Sequence, residues 1–161
     1  MKKIHNGYSI LKDYNCFGCS PNNPIGLCLN FYEDGEYVIS KWTPTNNYEG
    51  YHNVLHGGIQ ATLMDEIANW VIINKLQQTG VTKNLSVNYS KSVYIHKGEL
   101  TIRAKVAHTQ KNEATVLAEI LDINGDIRSS ATVCYATFPD QVARTKYHFP
   151  GYENFYAEED E

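Results

Sequence analysis

The chain has 161 residues, of which 42% are hydrophobic and 20% are charged, as is usual for one globular domain with its own core. A formal net charge of −4 without a basic cluster argues against a nucleic-acid partner. No apolar run is long enough to span a membrane and the N-terminus does not resemble a secretory signal, so we expect a cytoplasmic protein with no membrane partner.

The N-terminal segment, residues 1–20, is predicted to be irregular, and it contains a Cys-x-x-Cys motif. Cys16 and Cys19 have the spacing of half a zinc site, which Cys28 or His5 would have to complete. Because the chain has no second pair of this type, we expect a structural turn with reduced thiols and no metal.

Two strands are predicted next, at residues 27–32 and 37–42, because apolar and polar side chains alternate there. Residues 33–36 contain Asp-Gly and predict the hairpin turn between these strands. Residues 43–55 are rich in Pro, Asn, Gly and Tyr and predict a loop that leads into a helix.

One long helix is predicted from about residue 55 to about residue 78, with Gly80 as the left-handed residue just past its end. Between Gly58 and Lys75 its only charged residues are Asp65 and Glu66, so the helix should be buried. A carboxylate in such surroundings is a functional candidate, although a structural ion pair or a solvated position is the alternative. Glu66 is turned ~100° from Asp65 and is expected at the helix surface or in an interface.

Four longer strands are predicted after the helix, at about residues 85–89, 100–106, 115–121 and 129–138, with a turn at 124–126. Together the elements predict an α+β domain, residues 21–140, whose antiparallel sheet wraps its single helix. Residues 141–161 form a predicted C-terminal tail that is acidic at its end. The aromatic residues of this tail either dock on the sheet or belong to a partner surface.

The His-Gly-Gly run at residues 56–58, followed by Asp65 nine positions after the histidine, resembles the hotdog-fold thioesterases of the PaaI-like group. The resemblance continues through residues 82–89, which look like the strand after the helix in those enzymes. Residues 16–27 resemble an N-terminal signature of one bacterial branch. The resemblance implies a hotdog fold, with a sheet of five to six strands around one long central helix, and hydrolysis of an acyl-CoA thioester.

The resemblance also assigns roles to individual residues. The N–H of Gly57 would polarise the substrate carbonyl, Asp65 would act as base or nucleophile, and Thr82 would orient water. A hydroxyl on a strand is also often a plain ladder residue. His56 is expected to fix the helix start rather than transfer a proton. The supporting residues are His56, Gly58 and Asn53, and the expected substrate-binding residues are Lys83, Asn84 and Lys91. CoA belongs to the substrate, and no cofactor or metal is expected.

The chain departs from the family pattern at one position. A eukaryotic subgroup carries Asn six positions before the histidine, where this chain has Gly50. The nearby residues that offer a substitute are Asn47, Glu49, His52 and Asn53. The partner that completes carbonyl or water binding therefore stays open at this point.

The spacing within the helix predicts an oligomer. Nine residues of helix separate His56 from Asp65 by ~13.5 Å, so one helix cannot bring both ends to one carbonyl. Two antiparallel helices related by a twofold axis can, and we expect a homodimer or a dimer of dimers with the active site at the subunit interface. A non-catalytic acyl-thioester sensor on the same fold, and less favoured a hotdog dehydratase, are the alternatives.

Overall fold

The computed structural model describes residues 1–156 and shows one antiparallel sheet of seven strands in the order β1-β2-β3-β5-β6-β7-β4. The strands are β1 Lys2–Lys3, β2 Tyr32–Asp34, β3 Tyr37–Trp42, β4 Thr79–Tyr89, β5 Leu100–Gln110, β6 Glu113–Leu121 and β7 Ile127–Phe138. The helices are α1 Gly57–Val71, which continues as a π-helical segment Ile72–Leu76, and α2 Asp140–Tyr147. The predicted α+β architecture is confirmed, with seven strands where five or six were expected.

The long helix α1 is the centre of the core. It packs on strands β3, β4, β5, β6 and β7. Its buried positions include Leu63, Met64, Ile67, Trp70 and Val71, which are at most 1% exposed. Burying each large apolar side chain of this kind contributes roughly 1.5–3 kcal/mol. The predicted buried helix is therefore correct, and its apolar residues fix α1 against the sheet.

The strand predicted at residues 27–32 is wrong for most of its length, because β2 begins only at Tyr32. Cys28 has φ 53°, a left-handed conformation that interrupts an extended strand. Leu27 and Leu29 donate their N–H groups to the carbonyls of residues 17 and 18, over 2.8 and 2.9 Å. Their alternating burial thus comes from packing under the N-terminal segment, and the sequence pattern alone does not distinguish this from a strand.

The end of the helix differs in detail from the prediction. The helical segment ends close to the expected position, but Gln77, with φ 48°, is the left-handed residue that follows it. Gly80 lies inside β4, opposite Thr137. A β-carbon on Gly80 would collide with the carbonyl oxygen of Ala136, so this glycine permits close approach of β4 and β7.

Both terminal segments contain more structure than the sequence indicated. Residues 1–20 include β1 and a 3₁₀ turn at Gly7–Ile10, and the predicted C-terminal tail includes α2. The aromatic rings of Phe149 and Phe155 are buried, and Phe155 packs edge-on against Trp70 with ring centroids 5.5 Å apart. The tail therefore docks on the domain, while its acidic end, residues 157–161, lies outside the described residues. Within residues 1–156, no helix combines the length and the apolarity needed to cross a membrane.

Candidate functional site

The start of α1 exposes two backbone N–H groups. His56 caps the helix: its Nδ1 accepts a 2.8 Å hydrogen bond from the N–H of Gly58, and its carbonyl accepts one from Gln60 at 3.1 Å. The N–H groups of Gly57 and Ile59 then have no partner among the described residues. Unpaired donors at the positive end of a helix suit an oxygen atom that gains negative charge.

Tyr89, at the end of β4, holds this helix start. Its hydroxyl donates a 2.7 Å hydrogen bond to the carbonyl oxygen of Gly57. A β-carbon on Gly57 would lie 3.3 Å from the tyrosine ring, so the glycine allows the ring to pack closely. Beside this contact is an open groove of about 360 Å³, which we call the helix-start groove. It is lined by Asn47, Tyr48, Glu49, His56, Gly58, Ile59 and Thr62.

The carboxylate of Asp65 is held by two hydroxyl groups near the other end of β4. Its Oδ1 accepts a 2.7 Å hydrogen bond from Thr82 Oγ1. The Tyr135 hydroxyl is shared between the main-chain carbonyl of Asp65 at 2.7 Å and Asp65 Oδ1 at 3.0 Å. Burial, followed by the nearby charge of Asp65, raises the pKa of Tyr135, so this hydroxyl remains protonated and donates. The carboxylate faces a second groove of about 240 Å³, the carboxylate groove. Its lining is Asp65, Glu66, Asn69, Gly80, Val81, Thr82 and Tyr135.

A β-bulge places Thr82 beside Asp65. In the pairing of β4 with β7, Thr82 lies opposite Tyr135 and Asn84 lies opposite Cys134, so Lys83 is the extra residue. Without this bulge, Thr82 would share a face with Asn84, which is exposed. With the bulge, Thr82 joins the face of the sheet that packs on α1.

The other predicted site residues lie apart from both grooves or at their margins. Asn53 accepts a 3.0 Å hydrogen bond from the N–H of His96, and this contact ties it to the loop after β4. Lys83 is exposed and forms an ion pair with Glu113. Asn84 and Lys91 are exposed, on β4 and just beyond its end. Of the four residues offered as substitutes for the missing Asn, Asn47 and Glu49 line the helix-start groove.

Glu66 is not freely exposed at the helix surface, and it lines the carboxylate groove beside Asp65. Glu66 is mostly buried, and its Oε1 accepts a 3.2 Å hydrogen bond from the Trp70 indole and a 3.7 Å contact from the thiol of Cys16. Burial, followed by the charge of Cys16, raises the pKa of Glu66 to about 7. The N-terminal segment, which folds back over α1, covers this side of the helix.

Tyr89 and Tyr135 are the site residues that the sequence did not reveal. Both fit the alternation of a strand, and that pattern says which face a side chain occupies. It does not say which helix residue lies opposite that face. A tyrosine on the inner face of a predicted strand is as typical of core packing as of a functional site, so the sequence did not single out either residue.

Comparison with known proteins gives a match to one family model over part of the chain and a shared fold. Residues 52–128 match the family model described as the thioesterase superfamily. This range contains α1, β4, β5 and β6 and most of the residues that line the two grooves. Asn47, Tyr48, Glu49 and Tyr135 lie outside it. A search of curated proteins found no significant match.

Solved structures of thioesterase-superfamily proteins share the fold. Protein RHA08564 of this superfamily superposes with TM-score 0.69 and 21% identity over 75% of this chain. The match spans only 62% of the length of RHA08564. The smu.793 protein of Streptococcus mutans, solved with acetyl CoA, gives TM-score 0.65 and 21% identity over 80% of this chain and 96% of its own. A hypothetical thioesterase of Streptococcus pneumoniae, solved with coenzyme A, gives TM-score 0.62 and 25% identity over 68% of this chain and 85% of its own.

Proposed function

We propose that this chain, which has the hotdog fold, is a member of the thioesterase superfamily and hydrolyses an acyl-CoA thioester as one of the PaaI-like group. The observation that carries the proposal is the pair of half-sites at the two ends of β4. One end holds a carboxylate between two hydroxyls, and the other presents free backbone donors. The coenzyme A and acetyl CoA bound to similar structures support CoA as the carrier of the acyl group.

The chemistry needs only these groups and water. The thioester oxygen accepts a hydrogen bond from the N–H of Gly57, which stabilises the negative charge of the tetrahedral intermediate. Asp65 either removes a proton from the attacking water or attacks the carbonyl carbon itself, and Thr82 orients the water or the carboxylate. In the first route the carbon–sulfur bond breaks and the CoA sulfur takes up the proton that Asp65 removed from water. In the second route CoA leaves with a proton from solvent, and water then hydrolyses the anhydride between Asp65 and the acyl group. The products are the free acid and CoA.

A single chain does not bring the two half-sites together. Eight helical residues separate Gly57 from Asp65 by ~12 Å along α1. Strand β4 supplies a way to join two copies, because it is an edge strand of 11 residues and β7 is its one neighbour in the described sheet. A long uncovered edge of this kind pairs readily with a second copy of itself. We therefore place the active site at the interface of a homodimer.

The bulge at Lys83 selects the register of this pairing. A twofold axis perpendicular to the sheet requires that residues opposite each other lie on the same face. Thr82 and Tyr89 both lie on the face toward α1, because Thr82 occupies the position next to Asn84 in the ladder. An axis through Ser86 then puts Thr82 opposite Tyr89 of the second copy. Asp65 of one copy thereby approaches Gly57 of the other.

The nucleotide end of CoA lies outside the grooves in this proposal. Lys91 follows β4 close to the Tyr89 end, is exposed, and forms no ion pair within residues 1–156. It is the better phosphate contact, because the ammonium group of Lys83 already pairs with Glu113. A phosphate near Lys91 would gain a charge-assisted hydrogen bond.

Turnover of acyl-CoA esters by wild type and Asp65→Asn tests the function. Short, long and aryl acyl-CoAs are supplied, and thiol release is followed with a thiol-reactive dye. We expect turnover that falls at least ~10²-fold in Asp65→Asn with little change in substrate binding. The fold should survive, since an amide oxygen still accepts the hydrogen bonds from Thr82 and Tyr135. Asp34→Asn, at the exposed last residue of β2, is the matched control.

Two outcomes would count against this function. Binding of acyl-CoA without thiol release across the whole panel would favour an acyl-thioester sensor. Conversion of a 3-hydroxyacyl-CoA to an unsaturated acyl-CoA, again without thiol release, would favour a dehydratase. Full turnover in Asp65→Asn would show that the carboxylate has been assigned the wrong role.

A further inference from the structure

The N-terminal Cys-x-x-Cys loop meets the buried carboxylate of α1. The Sγ atoms of Cys16 and Cys19 and a carboxylate oxygen of Glu66 all lie within 4.8 Å of one another. We propose that these three residues bind a zinc ion, at a site next to the carboxylate groove that Glu66 also lines. The cysteines supply two thiolates at a spacing common in zinc proteins, and the third ligand comes from a segment remote in sequence.

Each of the three ligands already has an outer hydrogen-bond partner. The N–H of Cys19 points at Cys16 Sγ over 3.4 Å, and the Tyr14 hydroxyl lies 2.6 Å from Cys19 Sγ. The Trp70 indole donates to Glu66 Oε1 over 3.2 Å. Metal ligands in proteins are usually oriented by a second set of hydrogen bonds of this kind. These three contacts thus hold the ligand atoms near one point, where the thiol of Cys16 contacts Glu66 over 3.7 Å.

The charge of the cluster also calls for a cation. Glu66 is mostly buried, yet no lysine, arginine or histidine within residues 1–156 forms an ion pair with it. A buried carboxylate without a counter-charge is costly. A divalent ion between the carboxylate and two thiolates supplies that counter-charge.

Gly18 allows the loop and the helix to approach this closely. A β-carbon at this position would lie 2.5 Å from the carboxyl carbon of Glu66. Any larger residue at position 18 would push the carboxylate away from the two cysteines. The glycine of Cys-Phe-Gly-Cys therefore has a specific steric role.

Thiolate ligands favour zinc over magnesium or calcium, and a set of two cysteines and one carboxylate leaves a fourth tetrahedral position. Cys16 is partly exposed, so water can fill that position. The sequence offered Cys28 or His5 as further ligands. Cys28 is exposed and directs its thiol to the carbonyls of residues 23 and 26, and His5 stacks on Tyr156. The bound ion would fasten the N-terminal segment to α1 one residue from Asp65.

Metal analysis of the full chain tests the proposal. The protein is purified without a histidine tag or chelator, and its metal content is measured by mass spectrometry. We expect one zinc per chain. After removal of the metal under reducing conditions, added cobalt should produce the charge-transfer absorption of cobalt–thiolate bonds, which a carboxylate site without cysteine ligands does not give. Cys16→Ser and Glu66→Gln should each weaken zinc binding at least ~10-fold.

Cys28→Ser is the matched control, because it removes an exposed thiol from the same segment and should leave zinc binding unchanged. Asp65→Asn should also retain the metal, so failure of the thioesterase proposal does not affect this test. Wild-type protein that contains no zinc and takes up neither added zinc nor cobalt would overturn the proposal. A Cys16–Cys19 disulfide in freshly purified protein, or metal loss in Cys28→Ser but not in Cys16→Ser, would also overturn it.

Discussion

The N–H of Gly57 can be deleted without breaking α1. Gly57 is the first helical residue, a position that tolerates proline, and His56 before it has ψ 134°, which suits a residue that precedes proline. We expect Gly57→Pro to lower kcat by ~10²–10³-fold, the usual effect of losing one oxyanion donor. Steady-state thiol release measures this change, and circular dichroism verifies that the helix is retained.

Gly57→Ala separates the loss of the donor from the added bulk. It retains the N–H and introduces only the β-carbon, which the ring of Tyr89 can accommodate by a small shift from 3.3 Å. We expect this variant to stay within ~10-fold of wild type, since contacts of this length require shifts of only a few tenths of an ångström. Equal losses in the two variants would mean that packing at Tyr89, and not the N–H, matters for turnover.

The sequence indicated part of the site at this scale. It singled out Asp65 and Thr82 as members of one site, and the structure places their side chains 2.7 Å apart. It did not indicate Tyr135, whose hydroxyl reaches Asp65 only because β7 crosses α1 at that point. The bulge at Lys83 was also invisible, because a bulge depends on the pairing of two strands and not on one strand's composition.

Strand β4 should pair with itself across a twofold axis at Ser86. A residue on such an axis faces its own copy, with β-carbons ~4.5–5.5 Å apart. Mild oxidation of Ser86→Cys should therefore yield a covalent dimer, whereas wild type treated in the same way should not. Electrophoresis without reducing agent measures the fraction of linked chains.

Asn88→Cys is the control on the same exposed face of β4. In the proposed register, two copies of residue 88 lie four ladder positions apart, ~13 Å, which is too far for a disulfide. Efficient linkage through residue 88 but not through residue 86 would move the axis along the strand. It would also separate Thr82 from Tyr89 of the second copy, contrary to the proposed site.

Sequence periodicity located elements better than it located their ends. The strand expected at 85–89 in fact begins at Thr79. The prediction missed its first half because the bulge interrupts the alternation of side chains there. Residues 27–32 show the opposite error, where apolar alternation arises from burial in an irregular segment. Periodicity reports which side chains are buried, and hydrogen bonds between strands are a separate property.

At the scale of the whole molecule, the fold of one chain keeps apart the two half-sites that the proposed reaction needs together. One chain has its carboxylate near the first half of β4 and its free donors near the last residue of that strand. In the proposed homodimer, pairing of two β4 strands would create two composite sites, each with Asp65 from one copy and Gly57 from the other. Activity is then a property of the dimer. Chains that sedimentation shows to be monomeric should be inactive when they are assayed under the same conditions.

Mixed dimers test this division of the site directly. Chains carrying Asp65→Asn and chains carrying Gly57→Pro are co-expressed with different tags, and the mixed dimer is isolated through both tags. One of its two sites is intact and the other carries both changes, so it should regain about half of wild-type activity although each parent dimer is nearly inactive.

The reverse combination makes the result decisive. A dimer of one wild-type chain and one chain with both substitutions has a single defect in each of its two sites, so it should remain nearly inactive. If both groups instead acted within one chain, this second dimer would keep about half of wild-type activity and the first would have none. The two dimers contain the same substitutions in the same number. Any difference in their activity therefore reports which chain supplies each half of the site.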